Sequence, residues 1–116
     1  MSFLGYRRDV DVLIAAADVM VHPARYEAYG LSAHEAACRG VPVIASAYAG
    51  VTERLAPEFA PLMLRTGTVD ELVSVLEEWQ SNAAGWRQIA AARAPAIGER
   101  SWSDMASEIV DIGEQL

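Results

Sequence analysis

The chain contains no lysine. Its nine basic residues are all arginines, set against 16 carboxylates for a net charge of −7. Nucleic acids and anionic membrane surfaces are bound through clustered basic side chains, so neither is expected as the main partner. A small anion held by backbone amides remains compatible with that charge. The absence of lysine also argues against a receiver-like domain, which needs one beside its acidic cluster. There is a single cysteine, Cys38. That excludes an internal disulfide and a cysteine-based zinc site. No apolar run approaches the roughly 18–20 residues that span a bilayer. The opening MSFLGYRRD has too short an apolar part, with its charges on the wrong side, for a signal peptide. A cytoplasmic location is the expectation.

What is present is a globular composition. Hydrophobic residues make up 53% and charged residues 22% of 116 residues, which fits one domain with a real core. Short apolar runs at 2–5 (SFLG), 19–22 (VMVH), 42–46 (PVIAS) and 61–64 (PLML) read as strands. Segments 7–18, 30–40 and 68–82 carry helical spacing. Within them, Leu31, Ala36 or His34, and Cys38 share one side, and Val69, Leu72, Val73, Leu76 and Trp79 share another. Thr68 and Glu71 fit a capping box. Pro95 predicts a break or kink in the helix that follows, and Ser101 or Ser103 would cap the last one. Strands that are apolar throughout and separated by helices indicate an α/β fold, with a short parallel sheet of about four strands, flanking helices and a helical tail. Such a sheet places ligands at the carboxyl ends of its strands, where residues 22–31 lie.

That stretch, HPARYEAYGLSAHEAACRGVPVIAS at 22–46, holds Glu27 and Glu35 with seven residues between them and Gly30-Leu31 in the gap. A helix beginning near Gly30 presents unpaired amides with partial positive charge, an anion site needing no lysine. Gly30 has no Cβ to hinder close approach. Glu27 before the helix and Glu35 one turn into it are acceptors suited to hydroxyl-rich groups on either side of a diphosphate.

With its flanks, ADVMVHPARYEAYGLSAHEAACRGVPVIASAYAGVTE resembles the C-terminal domain of retaining GT-B glycosyltransferases of the family 4 type. The matching positions are Asp18, Val19, Pro23, Glu27, Gly30, Leu31, Glu35, Ala36, Gly40, the Pro42–Ser46 run, Gly50 and Glu53. The resemblance extends from about Phe3 to the last helix. It implies that Glu35 accepts hydrogen bonds from the donor ribose and that Glu27 contacts the donor sugar near its reacting end, as the catalytic carboxylate. It implies that the backbone of Ala28, Tyr29, Gly30 and Leu31 holds sugar and diphosphate. It also implies transfer from a nucleotide-diphosphate sugar with retention, without a metal or other cofactor. Gly50 and Glu53 stand further from that chemistry.

The chain departs from the family at Ala24, Ala28 and His34. It also lacks an acceptor domain and the basic pair that grips the diphosphate. It therefore reads as one part of an enzyme, and the missing N-terminal domain, or a partner chain that supplies it, is an expected partner. Inactivity alone, self-association through an uncovered sheet edge and a peripheral membrane link of the full enzyme are further expectations. A nucleotide-sugar-binding piece without turnover and an unrelated doubly wound interaction domain are the alternatives.

Other residues have structural readings beside functional ones. His22 is a donor contact or a satisfied structural histidine, and His34 reads as structural. Tyr26 or Tyr29 packs on the ligand or in the core. Asp9 and Asp11 read as helix-start residues rather than metal ligands, and Cys38 as a small core residue. Trp79, Trp86 and Trp102 read as packing residues. Ser46 lacks the Gly-x-Ser-x-Gly context of a hydrolase nucleophile.

Overall fold

A short strand that is apolar at every position is stable only with both faces covered, and Val43–Ser46 is covered in this way. All four of its residues are buried. The computed structural model describes residues 1–99 and 101–116, with the side chain of Trp102 excepted. In chain order the elements are α1 (Val10–Ala16), β1 (Met20–His22), α2 (Leu31–Cys38), β2 (Val43–Ser46), two 3-10 segments (Gly50–Arg54 and Pro57–Leu62), β3 (Met63–Leu64), α3 (Val69–Ser81), α4 (Ala83–Gly98) and α5 (Trp102–Gln115). The sheet runs β1-β2-β3, parallel throughout, with His22 beside Ala45 and Ser46 beside Leu64.

Successive residues of β2 point to opposite faces and so divide the core. Val43 and Ala45 join Ile14, Ala33, Ala36, Ala37, Val41, Val51 and Ile97 on one side. Ile44 joins Phe59, Leu62, Leu64, Val75, Trp86 and Ala90 on the other. Helix α4 serves both, through Trp86 and Ala90 at its start and Ile97 near its end. Phe59 and Trp86 stack with centroids 6.0 Å apart. Each fully buried side chain of this size contributes roughly 1.5–3 kcal/mol.

Several expectations change at this level. The segment at 2–5 is not a strand, and Phe3 and Leu4 are exposed. A strand exists by pairing, and no described strand lies beside this one, so the sheet has three strands instead of about four. Helix α2 turns an alanine stripe inward, Ala33, Ala36 and Ala37. Leu31 is 73% exposed, because it lies two residues, roughly 200°, around the helix from Ala33. Cys38 packs against the same core from its edge, and burial pushes its thiol pKa up. On α3 the inward stripe is Leu72, Val75, Leu76 and Trp79, a regular i, i+3, i+4, i+7 set, while Val69 and Val73 face outward. Helix α4 is not broken at Pro95 but continues to Gly98, which keeps Ile97 in the core. Ser101 caps α5 in a full capping box with Asp104. The packing expected of Trp102 lies outside the described side chains.

Candidate functional site at the tip of α2

The site is built where β1 ends and α2 begins. Gly30 is the N-cap of α2 at φ 98°, ψ 65°, a left-handed conformation that costs a side-chain-bearing residue of order 1–3 kcal/mol. No side chain caps the helix and no acidic residue lies in its first turn. The first intrahelical bond from this end is His34 N–H to Gly30 O at 3.0 Å. Leu31 and Ser32 are exposed, so the positive end of the helix opens to solvent.

Glu27 sits beside this tip. Its Oε1 accepts from the Tyr29 N–H at 3.2 Å, and its Oε2 lies 3.3 Å from His22 Nε2. That histidine nitrogen is buried and makes no in-line hydrogen bond. His22 therefore faces Glu27 through Nε2, and Gly30 packs against both: a Cβ there would stand 3.5 Å from His22 Nε2 and 3.6 Å from Glu27 Cγ. Tyr29 turns its hydroxyl to His34 Nδ1 at 2.8 Å, with ring centroids 5.6 Å apart. Ala28 is exposed, Tyr29 half-buried, and Tyr26 94% exposed, so Tyr26 is no part of the core. Glu35 lies at the fifth position of α2, about 6 Å along the axis from Leu31, and is exposed.

The loop after β2 fixes the loop after β1. Gly50 N–H donates to Ala28 O at 3.2 Å, and Val51 N–H to Tyr29 O at 2.8 Å. Thr52 in turn donates to the Ala49 carbonyl at 2.7 Å and holds that second loop. These two amides define the backbone path from Ala28 to Gly30. Sequence reasoning placed Gly50 at the margin; the glycine itself, directly after a strand-end loop, was the available signal for a close backbone approach.

The structure thus brings His22, Glu27, Tyr29, Gly30 and the α2 tip together, with Ala28 and Leu31 on the open side and Glu35 one turn down the helix. Asp9 and Asp11 stand apart at α1. Asp9 pairs with Arg7 at 2.6 Å and 2.8 Å, which holds its carboxyl below the usual range. Among the described residues no three His, Cys, Asp or Glu side chains group as metal ligands. No described helix is long and apolar enough to cross a membrane.

The comparisons with known proteins agree with one another. The chain is 34% identical over 115 residues to O-antigen chain mannosyltransferase B of Escherichia coli, covering 96% of this chain and 29% of that protein. It is 43% identical over 56 residues to lipopolysaccharide glucosyltransferase WaaG of Escherichia coli strain K12, covering 48% of this chain and 15% of that protein. It is 30% identical over 109 residues to MMP alpha-(1->4)-mannosyltransferase of Mycolicibacterium hassiacum, covering 92% of this chain and 26% of that protein. The chain thus spans less than a third of the length of each. No solved structure matches it. Residues 1–94 match the family described as glycosyl transferases group 1. With its parallel three-stranded α/β sheet consistent with part of a Rossmann-like GT-B domain, the chain belongs to the glycosyl transferases group 1 family.

Proposed function

We propose that this chain is the donor-binding portion of a glycosyltransferase that moves a hexose from a nucleotide-diphosphate sugar to an acceptor hydroxyl with retention. In that reaction the bond from the anomeric carbon to the diphosphate oxygen breaks, and a bond to the acceptor oxygen forms. The acceptor proton passes to the nucleoside diphosphate, which departs with the bonding pair. The observation that carries the reading is the start of α2: a left-handed glycine, an uncapped first turn open to solvent, and Glu27 fixed beside it. A diphosphate suits the amides of that turn. Glu27 faces the sugar side and is oriented by the Tyr29 N–H and by His22. Glu35, exposed on the next turn, accepts from the ribose hydroxyls. Three of the relatives are named mannosyl- or glucosyltransferases, which supports a hexose donor. The chain spans less than a third of its relatives, and on this reading it binds donor alone without transferring the sugar.

Calorimetric or NMR titration with nucleoside diphosphates and their hexose conjugates tests this. Binding is expected at the amides of Gly30 to Ala33. Glu35→Ala should weaken it about tenfold, the loss of one charge-assisted contact. Equal affinity in that variant removes the ribose role, and measurable transfer by the unaccompanied chain removes the division of labour.

A further inference from the structure

The molecule carries a second polar cleft, beside the start of the β1–α2 loop. It has a volume of about 450 Å³ and lies over the carboxyl ends of all three strands. Pro23 and Arg25 form one wall, Ser46 and Tyr48 the floor, and Arg65 and Thr66 the far wall. It shares no lining residue with the tip of α2.

Its chemistry is unlike that of the rest of the surface. The chain carries a net charge of −7, yet no carboxylate lines this cleft and two arginines do. Arg7 and Arg93 are paired with Asp9 and Glu58, and Arg87 is bound to the carbonyls of Ala15 and Ala17. The guanidiniums of Arg25 and Arg65, like those of Arg8 and Arg54, have no hydrogen-bond or ion-pair partner among the described residues, and these two line one cleft together. Ser46 is 9% exposed; its Oγ accepts from the Tyr48 N–H at 3.5 Å, leaving its own proton free to donate. Tyr48 adds a 79% exposed phenol.

The far wall is rigid. The Glu71 carboxylate accepts from the N–H groups of Arg65, Thr66 and Gly67 at 2.6, 2.9 and 2.8 Å. That carboxylate is saturated with donors behind the wall, so it does not compete for the Arg65 side chain.

We propose that this cleft binds a phosphate ester on the acceptor. Two guanidiniums from different strand-end loops, with hydroxyls between them, supply more donors than a carboxylate's two oxygens can use, and they match a tetrahedral dianion. The volume suits a phosphorylated sugar-sized group. The acceptor assignment rests on the transferase reading; the phosphate site itself does not.

NMR titration of the 116-residue chain with inorganic phosphate, glycerol phosphate and acetate tests it, with uridine and guanosine diphosphates in parallel. Both phosphates are expected to shift the Thr66 and Gly67 amides saturably and about tenfold more tightly than acetate. Arg25→Gln with Arg65→Gln should abolish that response. Both side chains are exposed, and unchanged amide dispersion will confirm folding. Glu35→Ala should leave the phosphate response intact while weakening the diphosphate response at Gly30 to Ala33. Absence of a saturable shift, an unchanged response in the double arginine variant, or phosphate shifts confined to Gly30 to Ala33 would each overturn the cleft. A retained phosphate response with no nucleotide binding would keep the cleft and remove the donor reading instead.

Discussion

Gly50 lies against the carbonyl of Ala28. A Cβ built on Gly50 would stand 2.6 Å from that oxygen and 3.2 Å from Tyr29 Cδ2, and the Gly50 N–H donates to the same oxygen at 3.2 Å. The clash is with backbone, which cannot rotate aside. Gly50→Ala should therefore destabilise the chain by roughly 1–3 kcal/mol. Urea denaturation is expected to show a lower midpoint with an unchanged slope. Nucleotide binding should weaken as well, because the path from Ala28 to Gly30 must shift.

Gly30→Ala acts by another route. The space around its Cβ is ordinary, with the nearest atom, Val51 Cγ1, at 3.4 Å, but φ is 98°. The expected cost is of order 1–3 kcal/mol, either in global stability or in a re-formed first turn of α2. Circular dichroism melting separates these outcomes from a third: unchanged stability and unchanged donor affinity would show that the left-handed cap does not matter.

Glu71 gives the loop before α3 an acid dependence. Its pKa is lowered from 4.5 to about 2 by the backbone N–H of Arg65 first, with the Thr66 hydroxyl and the N–H groups of Thr66 and Gly67 adding to it. A folded-state pKa below the unfolded value stabilises the protein above pH 4.5, and that contribution is lost as pH falls from 4.5 towards 2. The melting temperature of Glu71→Gln should fall less steeply than that of the native chain across this window. A carboxyl carbon titration midpoint near 4.5 would contradict the geometry.

β1 is an edge strand on one side, and Val21 is 37% exposed on it. Unpaired strand edges invite pairing with another chain. Light scattering is expected to show mass rising with concentration, and Val21→Lys should suppress the rise. A constant monomer mass at high concentration would show that this edge is silent.

The helical and strand segments were legible because their signals are local. PVIAS is apolar up to its final serine and forms a covered strand, VMVH has the β-branched run of a short strand stopped by Pro23, Thr68 and Ser101 offer hydroxyls to helix starts, and Gly40 follows the end of α2. The Glu27–Gly30–Glu35 spacing was legible for the same reason, since one loop and one helix start carry it. The misreadings at Leu31 and Val69 came from treating apolar residues as inward ones, when on α2 the alanines are the packing face.

Which partner each side chain meets was decided by tertiary structure. SFLG has strand composition, but no strand lies beside it, and pairing cannot be written into one segment. Gly50 reaches Ala28 across 21 intervening positions only because β1 and β2 are parallel neighbours. The same pairing aligns Arg25, Ser46 and Arg65 over one cleft, though nothing in their spacing relates them. The sequence determined the elements and the glycine-tipped helix between two glutamates, through interactions of short range. The fold alone determined that His22 faces Glu27 and that two unpaired arginines share a pocket, because those distances depend on how strands register and not on what precedes or follows each residue.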